Sequence, residues 1–140
     1  MVFAKFEYID HTADLGFKAR GTTLEALFVN AAEALFGALV SLKTVFLTEQ
    51  RTVEVTATSL DNLLVSWLNE LLYLFDTESL LLRKFHIDSM NDHNLQATVR
   101  GEFVDSLRHK IKTGIKAVTY HQVYVEKREG LWESQVILDL

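Results

Sequence analysis

The sequence predicts an α+β fold, with two helices packed on a largely antiparallel β-sheet in one domain spanning residues 1–140. Three observations carry this expectation. Several stretches alternate apolar with polar residues at period two, the pattern of half-buried strands. Two other stretches repeat apolar residues at helical spacing behind a hydroxyl residue that can cap a helix. The segment Asn91-Asp92-His93-Asn94 is turn chemistry between two of the strand-like runs and joins them as a hairpin.

Taken in order, Phe3 to Ile9 puts Ala4, Phe6 and Tyr8 on one face and Lys5 and Glu7 on the other. His11-Thr12-Ala13-Asp14-Leu15-Gly16 then reads as a loop, with Gly16 supplying the positive φ of a tight reversal. Phe17 to Gly21 resumes as a strand. Thr22 opens the first helix, and Glu25 three residues later matches a capping box. Leu24, Leu27, Phe28, Ala31, Leu35 and Leu39 form its core stripe, and the helix is expected to end between Gly37 and Ser41. Leu42 to Gln50 reads only as a connector. Val53, Val55 and Ala57 alternate with Thr52, Glu54, Thr56 and Thr58, a strand with one wet face.

Ser59 caps the second helix, and Asp61 falls in its first turn, where a negative charge is favourable. Leu63, Leu64, Trp67, Leu68, Leu71, Leu72 and Phe75 give this helix a broad apolar face, so it is expected to be the more buried of the two. Asn69 and Glu70 read as a solvated flank. The hairpin comes next. Leu81, Phe85 and Ile87 alternate with Lys84, His86 and Asp88, and Leu95, Ala97, Val99 and Phe103 with Gln96, Thr98, Arg100 and Glu102. His86 and His93 fall on its wet face and its turn. Leu107 to Lys112 is a helical turn or a loop. Ile115 to Val125 reads as one strand, Lys127 to Gly130 as a turn, and Trp132 to Leu140 as the last strand.

Composition excludes several function classes. The chain has 140 residues, a usual size for one domain, and nearly half are apolar. It has no cysteine, which removes disulfides, thiolate metal sites and cysteine nucleophiles. Residues 1–7 lack the basic start and apolar run of a signal peptide. No apolar run approaches the roughly 18 residues of a membrane span. A soluble cytoplasmic protein without membrane contact is expected. The formal net charge is −5, and the densest basic segment, Arg108 to Lys112, is short. Tight direct binding of nucleic acid is therefore not expected. Metal binding or a protein partner fits the acidic balance better.

Asp14 and Asp139 are the residues singled out for chemistry. Each lies at the end of a strand-like run among apolar neighbours. Two carboxylates brought together repel, and a cation between them relieves the repulsion. Carboxylate and carbonyl oxygens suit a hard divalent ion, Ca²⁺, Mg²⁺ or Mn²⁺, and Leu140 can add a main-chain or terminal oxygen. The simpler reading of Asp14 and Thr12 is that they hydrogen-bond the turn backbone. Lys116 either lies on the wet side of its strand or reaches the same site. Thr119, Tyr120 and His121 cannot all join it unless the strand bends. There is no glycine-rich phosphate loop, no H-E-x-x-H helix and no G-x-S-x-G turn.

The stretches His11-Thr12-Ala13-Asp14-Leu15-Gly16, Trp67-Leu68-Asn69-Glu70-Leu71-Leu72, Lys116-Ala117-Val118-Thr119-Tyr120-His121 and Val136-Ile137-Leu138-Asp139-Leu140, in this order, resemble the archease family. The resemblance covers essentially the whole chain. It implies an α+β accessory protein, not an enzyme, that helps a GTP-dependent RNA-splicing ligase become guanylylated and turn over repeatedly, in tRNA splicing or RNA repair. It implies divalent-metal ligands at Asp14, Asp139 and, through a non-side-chain oxygen, Leu140. It also implies roles in ligase activation for His11 and Lys116. The rival expectations are a metal-dependent phosphoesterase using the same acids and a chaperone-like protein-binding module with no metal.

Overall fold

Two antiparallel sheets share one pair of helices. The computed structural model describes residues 3–11 and 14–140, His11 by its backbone alone. The chain runs β1 (Phe6–His11), β2 (Asp14–Gly21), α1 (Leu24–Leu39), a single 3-10 turn (Leu42–Thr44), β3 (Glu49–Thr56), α2 (Leu60–Glu78), β4 (Leu80–Met90), β5 (Asn94–Phe103), β6 (Ala117–Val118), β7 (Tyr124–Arg128) and β8 (Leu131–Asp139). The first sheet has the order β1-β2-β8-β6, with β7 also paired to β8, and the second has the order β3-β5-β4. All pairings among the described residues are antiparallel, so the α+β expectation holds. No helix of the described residues is long and apolar enough to cross a membrane.

Each helix meets strands of both sheets, and one core is continuous between the helices and the two sheets. Phe17 and Ala19 of β2, Val136 and Leu138 of β8, and Ala97 and Val99 of β5 are among its buried strand residues. Trp67 is fully buried, and its indole N–H donates to the Phe28 carbonyl at 3.0 Å, tying α2 to α1. That bond satisfies the one polar atom the ring carries inside.

The burial of the helices reverses the expected order. Ten of the 16 residues of α1 are buried, against seven of the 19 of α2. The cause is bulk. Ala31, Ala32, Ala34 and Ala38 are buried and make α1 slim enough to pack closely on strands of both sheets. The cap of α1 is also one residue later than expected. Thr23 Oγ1 accepts the Ala26 N–H at 3.1 Å, so Glu25 is not the third residue after the cap and no capping box forms. Ser59 caps α2 as expected, accepting the Asn62 N–H at 3.2 Å. Ser79 ends α2 in the left-handed region, with φ 56, and β4 begins at the next residue.

Two strand expectations change. Asp14, Leu15 and Gly16 belong to β2 rather than to a loop. Gly16 has no positive φ; it is needed for space, since a Cβ there would lie 2.8 Å from Ile9 Cγ1 and 2.9 Å from Ile137 Cδ1. The expected single strand from Ile115 to Val125 is two strands, β6 and β7, on the same edge of β8. Val118 faces Leu138 and Tyr124 faces Gln135, so three extra residues bow out between them. Gln122, with φ 54, takes the bend. After β7, Glu129 and Gly130 both have positive φ, 53 and 80, as a two-residue hairpin turn of this twist requires.

Residues 104–116 form neither helix nor strand, and a buried carboxylate fastens them down. Glu102, expected on the wet face, is only 6% exposed. Arg108 donates to both its oxygens, at 2.5 and 2.8 Å, and the Phe46 N–H also donates to it. His109 accepts the Asp105 N–H on Nδ1 at 2.9 Å, which leaves its ring proton on Nε2, 3.1 Å from Glu102. The Arg108 hydrogen bonds, against the opposing effect of burial, hold the Glu102 carboxyl down at about 2. A depressed carboxyl stabilises the fold above its ordinary titration range, and that contribution is lost as pH falls toward the folded value. Glu102→Gln is expected to cost about 1–3 kcal/mol at neutral pH, Arg108 being partly exposed and able to rehydrate. In urea titrations from pH 7 down to about 2, the gap between variant and wild type should narrow. A gap that stays constant with pH would mean the charge contributes nothing.

Candidate metal centre

The candidate residues lie along one end of the first sheet. Leu15 of β2 faces Leu138 of β8, and the same register continued by one residue sets Asp14 opposite Asp139. His11 of β1 faces Asp14, and Ala117 of β6 faces Asp139. His11, Asp14, Asp139 and Ala117 therefore form one row across four strands. Residues in such a row share a face of the sheet. Positions 14 and 139 share theirs with Gly16 and Ile137, the face away from the buried Phe17, Val136 and Leu138. Lys116 and Leu140 stand one step beyond the row, and the Lys116 N–H donates to the Asp139 carbonyl at 2.8 Å.

The order of strands makes this row. The last strand of the chain inserts between β2 and β6, so residues 125 positions apart become cross-strand neighbours. Three tethers hold β6, the bend after it and β7 in place. Asn69 of α2 donates to the Val118 carbonyl and accepts the Val118 N–H, both at 2.9 Å. It is thus not the solvated flank residue expected from its place on the helix. Thr119 donates to the Ile137 carbonyl through its N–H at 3.0 Å and its hydroxyl at 2.9 Å. Asp61 accepts the Val125 N–H at 2.9 Å, fixing β7 to the start of α2.

Asp14 is partly buried, while Lys116, Asp139 and Leu140 are exposed. Thr12 and Ala13 lie outside the described residues, as does the His11 side chain, so the expected turn hydrogen bond of Thr12 falls there too. His86 and His93 are exposed as expected; His86 Nδ1 lies 2.8 Å from Asp88 and His93 Nδ1 lies 3.2 Å from the Ala57 carbonyl. His121 and Tyr120 lie on the exposed bend between β6 and β7.

The donor set suits a hard divalent cation: two carboxylates on one face, with a main-chain oxygen of Leu140 adjacent in sequence. Such an ion takes six or more oxygens, so water or a partner molecule must supply the rest. The exposure of Asp139 and Leu140 leaves that side open. No group of three or more His, Cys, Asp or Glu side chains that could hold an ion occurs among the described residues.

The archease protein family (MTH1598/TM1083) matches residues 6–140. The chain is 39% identical to protein archease of Methanosarcina mazei over 140 residues, covering 97% of this chain and 96% of the relative. It is 40% identical to protein archease of Thermococcus kodakarensis, covering 97% and 99%. The solution structure of Methanobacterium thermoautotrophicum protein 1598 superposes with a TM-score of 0.83 at 40% identity, covering 97% of this chain and 99% of that one. A crystal structure from Thermotoga maritima, described as an archease and possible chaperone, shares the fold with a TM-score of 0.66 at 22% identity, over 94% of each chain.

Proposed function

Because the chain belongs to the archease family, we propose that it activates a GTP-dependent RNA ligase and that a divalent cation held by Asp14 and Asp139 takes part in the activation. The observation that carries this reading is the register that makes Asp14 and Asp139 cross-strand neighbours at an exposed sheet end. A site that supplies only two carboxylates and a main-chain oxygen is half a coordination sphere. It is completed when a second molecule brings the remaining ligands. Asp14 and Asp139 would hold the cation, which would supply positive charge against the phosphate charge that builds during nucleotidyl transfer. Leu140 contributes an oxygen beside Asp139. Lys116, fixed by its N–H to the Asp139 carbonyl, brings a positive charge to the same end, and His11 occupies the row beside Asp14.

This division of labour also supports an accessory role over hydrolysis. A two-metal phosphoesterase needs more ligands than the row provides. The test is to add the protein to the cognate ligase and follow ligase guanylylation and ligation over many turnovers. Both should rise sharply at substoichiometric amounts of the protein. Unchanged guanylylation and turnover at an equimolar amount would contradict the proposal.

Partner choice makes a further prediction. With a net charge of −5, the protein should reach RNA through the ligase rather than bind it tightly alone. Fluorescence anisotropy with a short labelled RNA at physiological salt should show no submicromolar binding. Submicromolar, salt-sensitive binding would contradict it.

A further inference from the structure

A second feature lies where the edges of the two sheets approach each other. β1 is an edge strand of the first sheet and β4 of the second. Between them is a cleft of about 550 Å³ lined by Phe6, Glu33, Leu42, Lys43, Arg83, Lys84 and Phe85. That volume is in the range of small-ligand sites. Three of the lining residues are cations and one is an acid, in a chain whose net charge is −5.

The strand geometry builds this concentration of charge. Leu82 faces Gly101, but Lys84 faces Arg100, so β4 carries a bulge at Arg83. Leu82 and Phe85, on either side, are both buried in the core. Strict alternation would send one of Arg83 and Lys84 inward. The bulge instead resets the phase, and both adjacent cations stay out of the core and line the cleft. Arg83 donates to the Val45 carbonyl at 3.0 Å, which fixes its guanidinium without neutralising it. Among the described residues Lys43, Arg83 and Lys84 form no ion pair with any carboxylate, Glu33 included. Phe6 and Phe85 give the cleft aromatic walls, and Phe6 is steadied by Tyr8 at 5.6 Å between ring centres.

We propose that this cleft binds a small phosphate-bearing ligand of the mononucleotide class. Lys43, Arg83 and Lys84 meet the phosphate, the half-buried Phe6 offers a ring to the base, and Glu33 accepts from a base N–H or a ribose hydroxyl. Strongly hydrated lysines beside an oriented guanidinium suit a compact oxyanion. The site is independent of the Asp14 and Asp139 row and of the ligase reading.

The test is calorimetric titration of the full chain with pyrophosphate, with adenosine and guanosine monophosphates, and with the matching nucleosides. The nucleotides should bind saturably, pyrophosphate more weakly, and the nucleosides not at all. The double variant Lys43→Gln with Lys84→Gln should weaken nucleotide binding about tenfold or more, since each lost charged hydrogen bond is worth that order. Its thermal melt should match the wild type, and Asp139→Ala should bind nucleotide normally. Equal binding of pyrophosphate and nucleotides would support the phosphate site and assign its ligand as a free phosphate. No saturable binding of any phosphate probe up to about 10 mM, or equal affinity in the double variant, overturns the proposal.

Discussion

Alanine at Asp14 or at Asp139 is expected to return the cognate ligase to its unassisted rate while leaving the protein folded. Under the proposed function each carboxylate supplies one side of a shared cation position, so losing either would remove the cation for both. The double variant should then be hardly worse than either single one, because groups that act as a unit are non-additive. The fold should tolerate the changes. Both residues lie at a sheet end rather than in the core, and the backbone bond from the Lys116 N–H to the Asp139 carbonyl does not involve a side chain. Relieving repulsion between two carboxylates also costs nothing in the metal-free protein. Stability changes within about half a kcal/mol are expected, as for other substitutions away from the core. Removing Leu140 should give a milder defect, since Asp139 remains. Guanylylation and multiple-turnover ligation with each variant, beside a thermal melt, check this. Folded single variants that still activate the ligase fully would separate the acids from the function.

Leu71→Ala is expected to cost about 2–5 kcal/mol of stability. Leu71 is fully buried on α2, the helix that carries Trp67 against α1 and Asn69 against β6. The substitution removes buried side-chain volume from the continuous core. Because Asn69 lies on the same helix, loosening α2 also loosens β6 and with it the end of β8. The variant should therefore lose ligase activation on warming well before the wild type does. Chemical denaturation followed by tryptophan fluorescence measures the cost. A loss below about half a kcal/mol would mean that α2 does not anchor the core.

Much of the fold is legible in single residues. Period-two alternation locates β1, β3, β4 and β5, and helical spacing locates α1 and α2, because those patterns record which face of an element is buried. What alternation cannot record is which strands become neighbours. Asp14 and Asp139 stand out as acids ending apolar runs, but their meeting depends on β8 inserting between β2 and β6. That is a pairing of distant segments that no local pattern encodes. Gly16 stands out too, but it serves a different need from the one its neighbours suggest: its missing Cβ makes room for Ile9 and Ile137, not for a turn. Asn69 is hidden because a polar residue beside an apolar helix face usually meets water. Its amide instead matches both polar groups of one strand residue, Val118. Glu102 fits the alternation of a wet face, yet Arg108 and His109 bury it. The basic pair a few residues later is the available signal. The break between β6 and β7 has none, since Ile115 to Val125 is uniformly strand-like in composition.

The proposed sharing of a cation is tested most directly by titrating the wild-type protein and the Asp14→Ala and Asp139→Ala variants with Ca²⁺, Mg²⁺ and Mn²⁺ by calorimetry. The predicted result is saturable binding of at least one of these ions to the wild type, strongly weakened in both variants and unchanged in the Lys84→Gln control. Binding that persists undiminished in either variant, or no saturable binding of any of the three ions to the wild type either alone or with the ligase present, would contradict a cation shared by Asp14 and Asp139.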